Sequence, residues 1–128
     1  MHRKPITVCY PITDVRFTGG ALATSIKGPK GKRGFLVDVA VRVAETFACD
    51  TTTAKVRLGT TADPDRYAEL IIPDGTAATN FYNSADDRDA LKDAELPEET
   101  QVEVTFVNSV DSGVAAGKGD VYILVDWY

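Results

Sequence analysis

Histidine occurs once in this 128-residue chain, at position 2, and cysteine only twice, at positions 9 and 49. A Ser–His–Asp or Cys–His site needs a base that exchanges protons near neutral pH, and histidine is its usual source. One histidine at the N-terminal end supplies neither. Two widely spaced cysteines and that histidine also match no zinc-ligand spacing, so no catalytic residue, metal ligand or cofactor is assigned. Long apolar runs are missing too: nothing approaches the ~18–20 residues of a membrane-spanning helix. The start, Met1-His2-Arg3-Lys4-Pro5, is basic like a signal peptide, but Thr7, Thr13, Asp14 and Arg16 interrupt any apolar stretch behind it. Synthesis and use without Sec export are therefore expected. Two cysteines make no disulfide framework. Cys9 and Cys49 both lie in apolar, strand-like contexts, where buried free thiols are expected and a single disulfide is the alternative.

What is abundant is strand chemistry. Val, Ile and Thr number 34 and the aromatics 11, so over a third of the chain favours β structure. The length suits one domain with a real core. Net charge is −5 and the isoelectric point about 4.8, which opposes binding to nucleic acid or to an anionic membrane. That total hides an asymmetry. Residues 1–60 carry ten basic and four acidic side chains, and residues 61–128 carry four and fifteen. Folding that interleaves the halves would cancel much of this polarity; the alternative is a polar subunit that docks on an acidic neighbour.

Period-two alternation marks the strands. In Phe35–Val43 the odd positions Phe35, Val37, Val39, Val41 and Val43 form one face, expected to be buried. Ala54–Leu58, Gln101–Val107 and Val121–Trp127 alternate likewise; the second face of the last (Tyr122, Leu124, Asp126, Tyr128) is too apolar for a fully wet surface. Ile6–Tyr10, Val15–Thr18, Ala21–Ile26 and Tyr67–Ile72 are weaker candidates, with Gly19-Gly20 marking a bulge or turn. Only 86–94 has helical features: Ser84 as a cap and acidic residues in the first turn. Its one large apolar residue, Leu91, limits it to a turn or two. The expectation is an all-β chain, an antiparallel two-sheet β-sandwich of jelly-roll type with at most one short helix near 86–94. A single domain is expected overall, with residues 1–34 as a partly extended N-terminal segment carrying a basic loop and 35–128 as the sandwich body.

Gly28-Pro29-Lys30-Gly31-Lys32-Arg33-Gly34 has the glycines of a phosphate-binding loop, but no Ser or Thr follows Lys32 and a strand rather than a helix comes next. It reads instead as a basic loop (Lys27, Lys30, Lys32, Arg33), either merely solvated or docking on an acidic protein surface, with a nucleic-acid contact the third reading, opposed by the overall acidity. The carboxylate clusters at Asp63/Asp65, Asp86/Asp87/Asp89 and Glu98/Glu99 fit no EF-hand spacing, and Asp is a usual turn residue. The stretch 86–99, with seven acidic residues against two basic, is the acidic counterpart of that loop.

Two strings carry a resemblance. Ala54-Lys55-Val56-Arg57-Leu58-Gly59-Thr60-Thr61-Ala62-Asp63-Pro64-Asp65-Arg66-Tyr67 and Ala115-Ala116-Gly117-Lys118-Gly119-Asp120-Val121-Tyr122-Ile123-Leu124-Val125-Asp126-Trp127 resemble segments of small β-sandwich proteins of tailed bacteriophages that decorate or cement the capsid or form head-fibre bases. The resemblance covers roughly 35–127 and is one of pattern. It implies a non-enzymatic virion protein on the outside of an icosahedral head, assembled in the host cytoplasm. The implied partners are the major capsid protein and other copies of the chain, with a trimer favoured. On that reading Arg3, Lys4, Lys27, Lys30, Lys32 and Arg33 contact the shell, and Tyr122, Leu124, Trp127 and Tyr128 lie between subunits. A carbohydrate-binding, lectin-like module is the alternative, resting on the terminal aromatics; a tail or fibre component of the same virion is another. Coplanar exposed rings at Tyr82, Tyr122, Trp127 and Tyr128 would favour sugar, and buried rings assembly.

Overall fold

The computed structural model describes residues 6–19 and 23–128. Nine strands follow one another: β1 (Ile6–Arg16), β2 (Thr24–Ile26), β3 (Gly34–Ala48), β4 (Ala54–Gly59), β5 (Ala68–Ile72), β6 (Phe81–Asn83), β7 (Glu95–Leu96), β8 (Val102–Val107) and β9 (Ala116–Trp127). They form two antiparallel sheets. Sheet A has the order β1-β9-β3-β6, with β7 also paired to β3, and sheet B the order β2-β8-β4-β5. The inner faces pack into one β-sandwich core that includes Leu36, Val39, Val41, Leu58, Leu70, Val104, Ile123 and Trp127. Phe17 joins the sheets, its ring 5.4 Å from Phe47 of β3 and 5.7 Å from Phe106 of β8, edge-on to the latter. β1 pairs along β9, with a break in register between Ile12 and Val15 where Asp14 takes a positive φ.

β9 is the spine of sheet A. Its residues alternate in and out without interruption, so Val121, Ile123, Val125 and Trp127 enter the core while Tyr122, Leu124 and Asp126 face out. Tyr128 exchanges both backbone hydrogen bonds with Arg33, and the Phe17 N–H donates to the Gly117 carbonyl. Even positions of β9 therefore bond to β3 and odd positions to β1. The backbone groups of Thr7, Cys9 and Pro11 are left on the outer edge of β1, the side on which a proline costs no ladder bond.

β3 corrects the simple alternation. Leu36 pairs with Val125 and Asp38 with Leu124, so Val37 is an extra residue in a bulge. Residues before the bulge point inward at even positions (Gly34, Leu36) and those after it at odd ones (Val39, Val41, Val43). Phe35 and Val37, expected in the core, are instead exposed on the outer face; one inserted residue inverts the face of what precedes it. Residues 86–94 form turns and no helix. The Asp87 carboxylate accepts the backbone N–H groups of Ile71 and Asp89, and Asp86 accepts that of Asn83, so these side chains serve turn geometry and not a first helical turn. The segment thereby covers the free edge of β5, with the Glu69 N–H donating to the Ala90 carbonyl. Both cysteines are free thiols: Cys49 is buried, but Cys9 is exposed, because it lies across from outward-facing Leu124.

Candidate assembly surface

The basic loop between β2 and β3 is clamped at its base. The Lys32 N–H donates to the Pro29 carbonyl, and Arg33 is tied to Tyr128. Gly28 and Gly34 lie flat against the Trp127 indole: a Cβ would come within 2.3 Å of its ring at position 28 and 2.7 Å at position 34. Trp127 is 1% exposed, and its Nε1 donates to the Tyr10 hydroxyl at 2.9 Å. Trp127 was expected between subunits. It has no surface of its own to offer one, because the period of β9 turns it inward. Lys27, Lys30 and Arg33 are exposed and Lys32 half-buried, and none of the four makes an ion pair among the described residues. Arg3 and Lys4 lie outside the described residues.

The outer face of sheet A is ordered by strand register. Cys9, Leu124 and Asp38 form one row, and Pro11, Tyr122, Ala40 and Asn83 the next. Nearer the loop, Thr7, Asp126, Phe35 and Glu95 form a third row. Tyr122 and Leu124 are half-buried there, and Tyr128 is exposed. Tyr82 belongs to the opposite face: it pairs with core-facing Val41 and packs on the core, and burial pushes its phenol up. Tyr82, Tyr122, Trp127 and Tyr128 thus do not share one surface.

A cleft of about 300 Å³ opens where the loop, β7 and the end of β9 meet, lined by Arg33, Asp93, Glu95, Leu96, Glu98 and Tyr128 among others. The acidic run 86–99 marked its carboxylates in the sequence. The β7–β3 pairing that brings Glu95 beside Phe35 joins residues far apart in the chain and left no local signal.

Three ion pairs form among the described residues, while Arg16, Arg42, Lys55, Arg66 and Arg88, like the loop cations, make none. Arg57 bonds Glu69 at 2.6 Å, Lys92 bonds Asp65 at 2.8 Å and Lys118 bonds Asp14 at 2.7 Å. The Lys118 and Lys92 ammonium groups hold the Asp14 and Asp65 carboxyls below the usual range, and the Asp65 carboxylate raises Lys92 in return. Asp50 is held low by the hydroxyl and N–H of Ser112 and the Thr51 hydroxyl. Desolvation by burial raises the Cys49 thiol above its ordinary value. Among the described residues no three His, Cys, Asp or Glu side chains converge to hold a metal.

The chain matches no protein-family model and no curated protein. Among solved structures it is similar to one described as "Cyanophage Pam1 capsid asymmetric unit", with a TM-score of 0.48 and 15% identity over 99% of this chain and 88% of that one. A likeness that distant says nothing of function.

Proposed function

We propose that the protein is a non-enzymatic virion component, a decoration or cement protein that binds the outside of an icosahedral phage head as a homo-oligomer, with a trimer favoured. The carrying observation is the outer face of sheet A: Phe35, Val37, Tyr122, Leu124 and Tyr128 keep partial exposure beside a basic loop whose cations make no ion pair among the described residues. Such a surface suits assembly, with apolar area supplying affinity and charge supplying orientation. The resemblance of 54–67 and 115–127 to small phage head proteins supports the same reading. The major capsid protein is the partner, met by Lys27, Lys30, Lys32 and Arg33 together with Arg3 and Lys4. Tyr122, Leu124 and Tyr128 serve contacts between copies. The protein assembles on heads in the host cytoplasm and remains on the capsid surface, without nucleic acid, membrane or cofactor. Burial of Trp127 and the inward placement of Tyr82 remove two of the four rings that a sugar platform would use.

The test is cryo-electron microscopy of virions that contain the protein. Density fitting the two-sheet body on the outer shell is expected. Shells resolved in full without such density would sink the proposal.

A further inference from the structure

The end of sheet A where β3 begins and β9 finishes has two walls of opposite charge. Phe35 and Tyr128 are 46% and 44% exposed. They are diagonal neighbours on the outer face, because Arg33 pairs with Tyr128 and Phe35 with Asp126. Lys30, Lys32 and Arg33 of the loop form the basic wall and Asp93, Glu95 and Glu98 the acidic one, with Arg33 lining the same cleft as the three carboxylates and Tyr128. None of these six charged side chains makes an ion pair among the described residues. The walls adjoin: a Cβ on Gly31 would sit 4.0 Å from the Glu98 carboxylate. The basic wall is also pre-set, with Gly28 and Gly34 seated on the Trp127 indole and Arg33 bonded to Tyr128. A fixed loop loses little freedom on binding.

We infer that this patch is a docking surface for a second copy of the chain, the basic loop of each copy lying on the acidic wall of the other and Phe35 and Tyr128 packing at the centre. Adjacent walls of opposite sign are self-complementary about a twofold axis through their boundary. Aromatic anchors with a charged rim are the usual anatomy of a binding hot spot. The inference rests on the homo-oligomeric part of the proposed function and adds to it a twofold pairing of copies, distinct from the threefold contacts of the favoured trimer. It moves Lys30, Lys32 and Arg33 from the shell contact to the neighbouring copy and leaves Lys27, with Arg3 and Lys4, to the shell.

The experiment is sedimentation velocity of the isolated full chain over a concentration series, without heads. Reversible self-association that weakens with added salt is expected. E95K/E98K and K30E/K32E should each weaken it about tenfold or more, since both place like charges face to face. Mixing the two variants in equal amounts should restore association, because every loop then meets a wall of opposite sign, and that rescue also shows both variants to be folded. Phe35→Ser should weaken association with no change in charge. A native chain monomeric throughout, variants that associate like the native chain, or a mixture no better than its parts would each overturn the inference. A monomeric native chain that still binds heads would overturn only this inference, and a self-associating chain that ignores heads would overturn only the shell-binding reading.

Discussion

The backbone of Gly28 lies so close to the indole of Trp127 that a Cβ at position 28 would stand 2.3 Å from the ring. The indole has nowhere to go, with Gly34 against it as well and its Nε1 bound to Tyr10. Gly28→Ala should therefore destabilise the fold by about 1–3 kcal/mol, the ordinary cost of overpacking a core, read as a lower urea midpoint. Trp127 is the only tryptophan, so its fluorescence reports the site alone and should shift to the red as the ring is displaced toward water. A native midpoint with native emission would show that the loop is not seated on the indole.

The bulge in β3 makes two valines of the same parity unequal. Val37 is 40% exposed and Val39 fully buried, although both belong to the same face in an uninterrupted strand. Valine to threonine keeps shape and adds a hydroxyl. Val37→Thr should change stability by no more than about 0.5 kcal/mol, whereas Val39→Thr, with no partner for the hydroxyl, should cost about 1–3 kcal/mol. Equal losses in chemical denaturation would place Val37 in the core and remove the bulge.

These positions also show which parts of the fold were legible in the sequence. β4, β8 and the end of β9 keep an unbroken period of two, so their inner faces could be read directly, and with them the two-sheet β-sandwich. β3 could not be read that way, since a bulge leaves no mark in composition and only the register against β9 reveals it. In 86–94 the aspartates that would suit a helix start instead bind the amides of Asn83, Ile71 and Asp89, and Ile71 is a distant tertiary partner. The basic loop was visible as charge. The acidic wall beside it was visible as composition, but its position depends on β7 pairing with β3.

Asp50 should give the stability a specific acid dependence. Its carboxylate ties the β3–β4 connection to the loop before β9 through the N–H and hydroxyl of Ser112, and it also accepts from Thr51. These bonds hold its pKa below the ordinary 3.8, so the folded state favours the ionised form. The stabilisation is complete above the unfolded-state pKa and is lost as pH falls through the folded one. Asp50→Asn should lower the melting temperature at neutral pH. The gap from the native chain should narrow on acidification into the region below pH ~4. A gap that stays constant with pH would mean that the carboxylate charge contributes nothing there.

Reversing the loop charges should separate attachment from folding. Lys30, Lys32 and Arg33 make no ion pair among the described residues, so Glu at all three positions breaks no side-chain ion pair there, and the melting temperature should stay close to native. The clamp on Trp127 uses glycines and backbone groups and is untouched. Binding to purified heads, measured by co-sedimentation, should fall sharply, and binding of the native chain should weaken with ionic strength because exposed charges are screened over ~10 Å at 0.1 M salt. E95K/E98K is the companion variant, as it disturbs the acidic wall and leaves every loop cation in place. If both variants detach together, the loop acts through the neighbouring copy; if only the loop variant detaches, it meets the shell itself. Unchanged occupancy of the loop variant on heads would exclude the loop from docking.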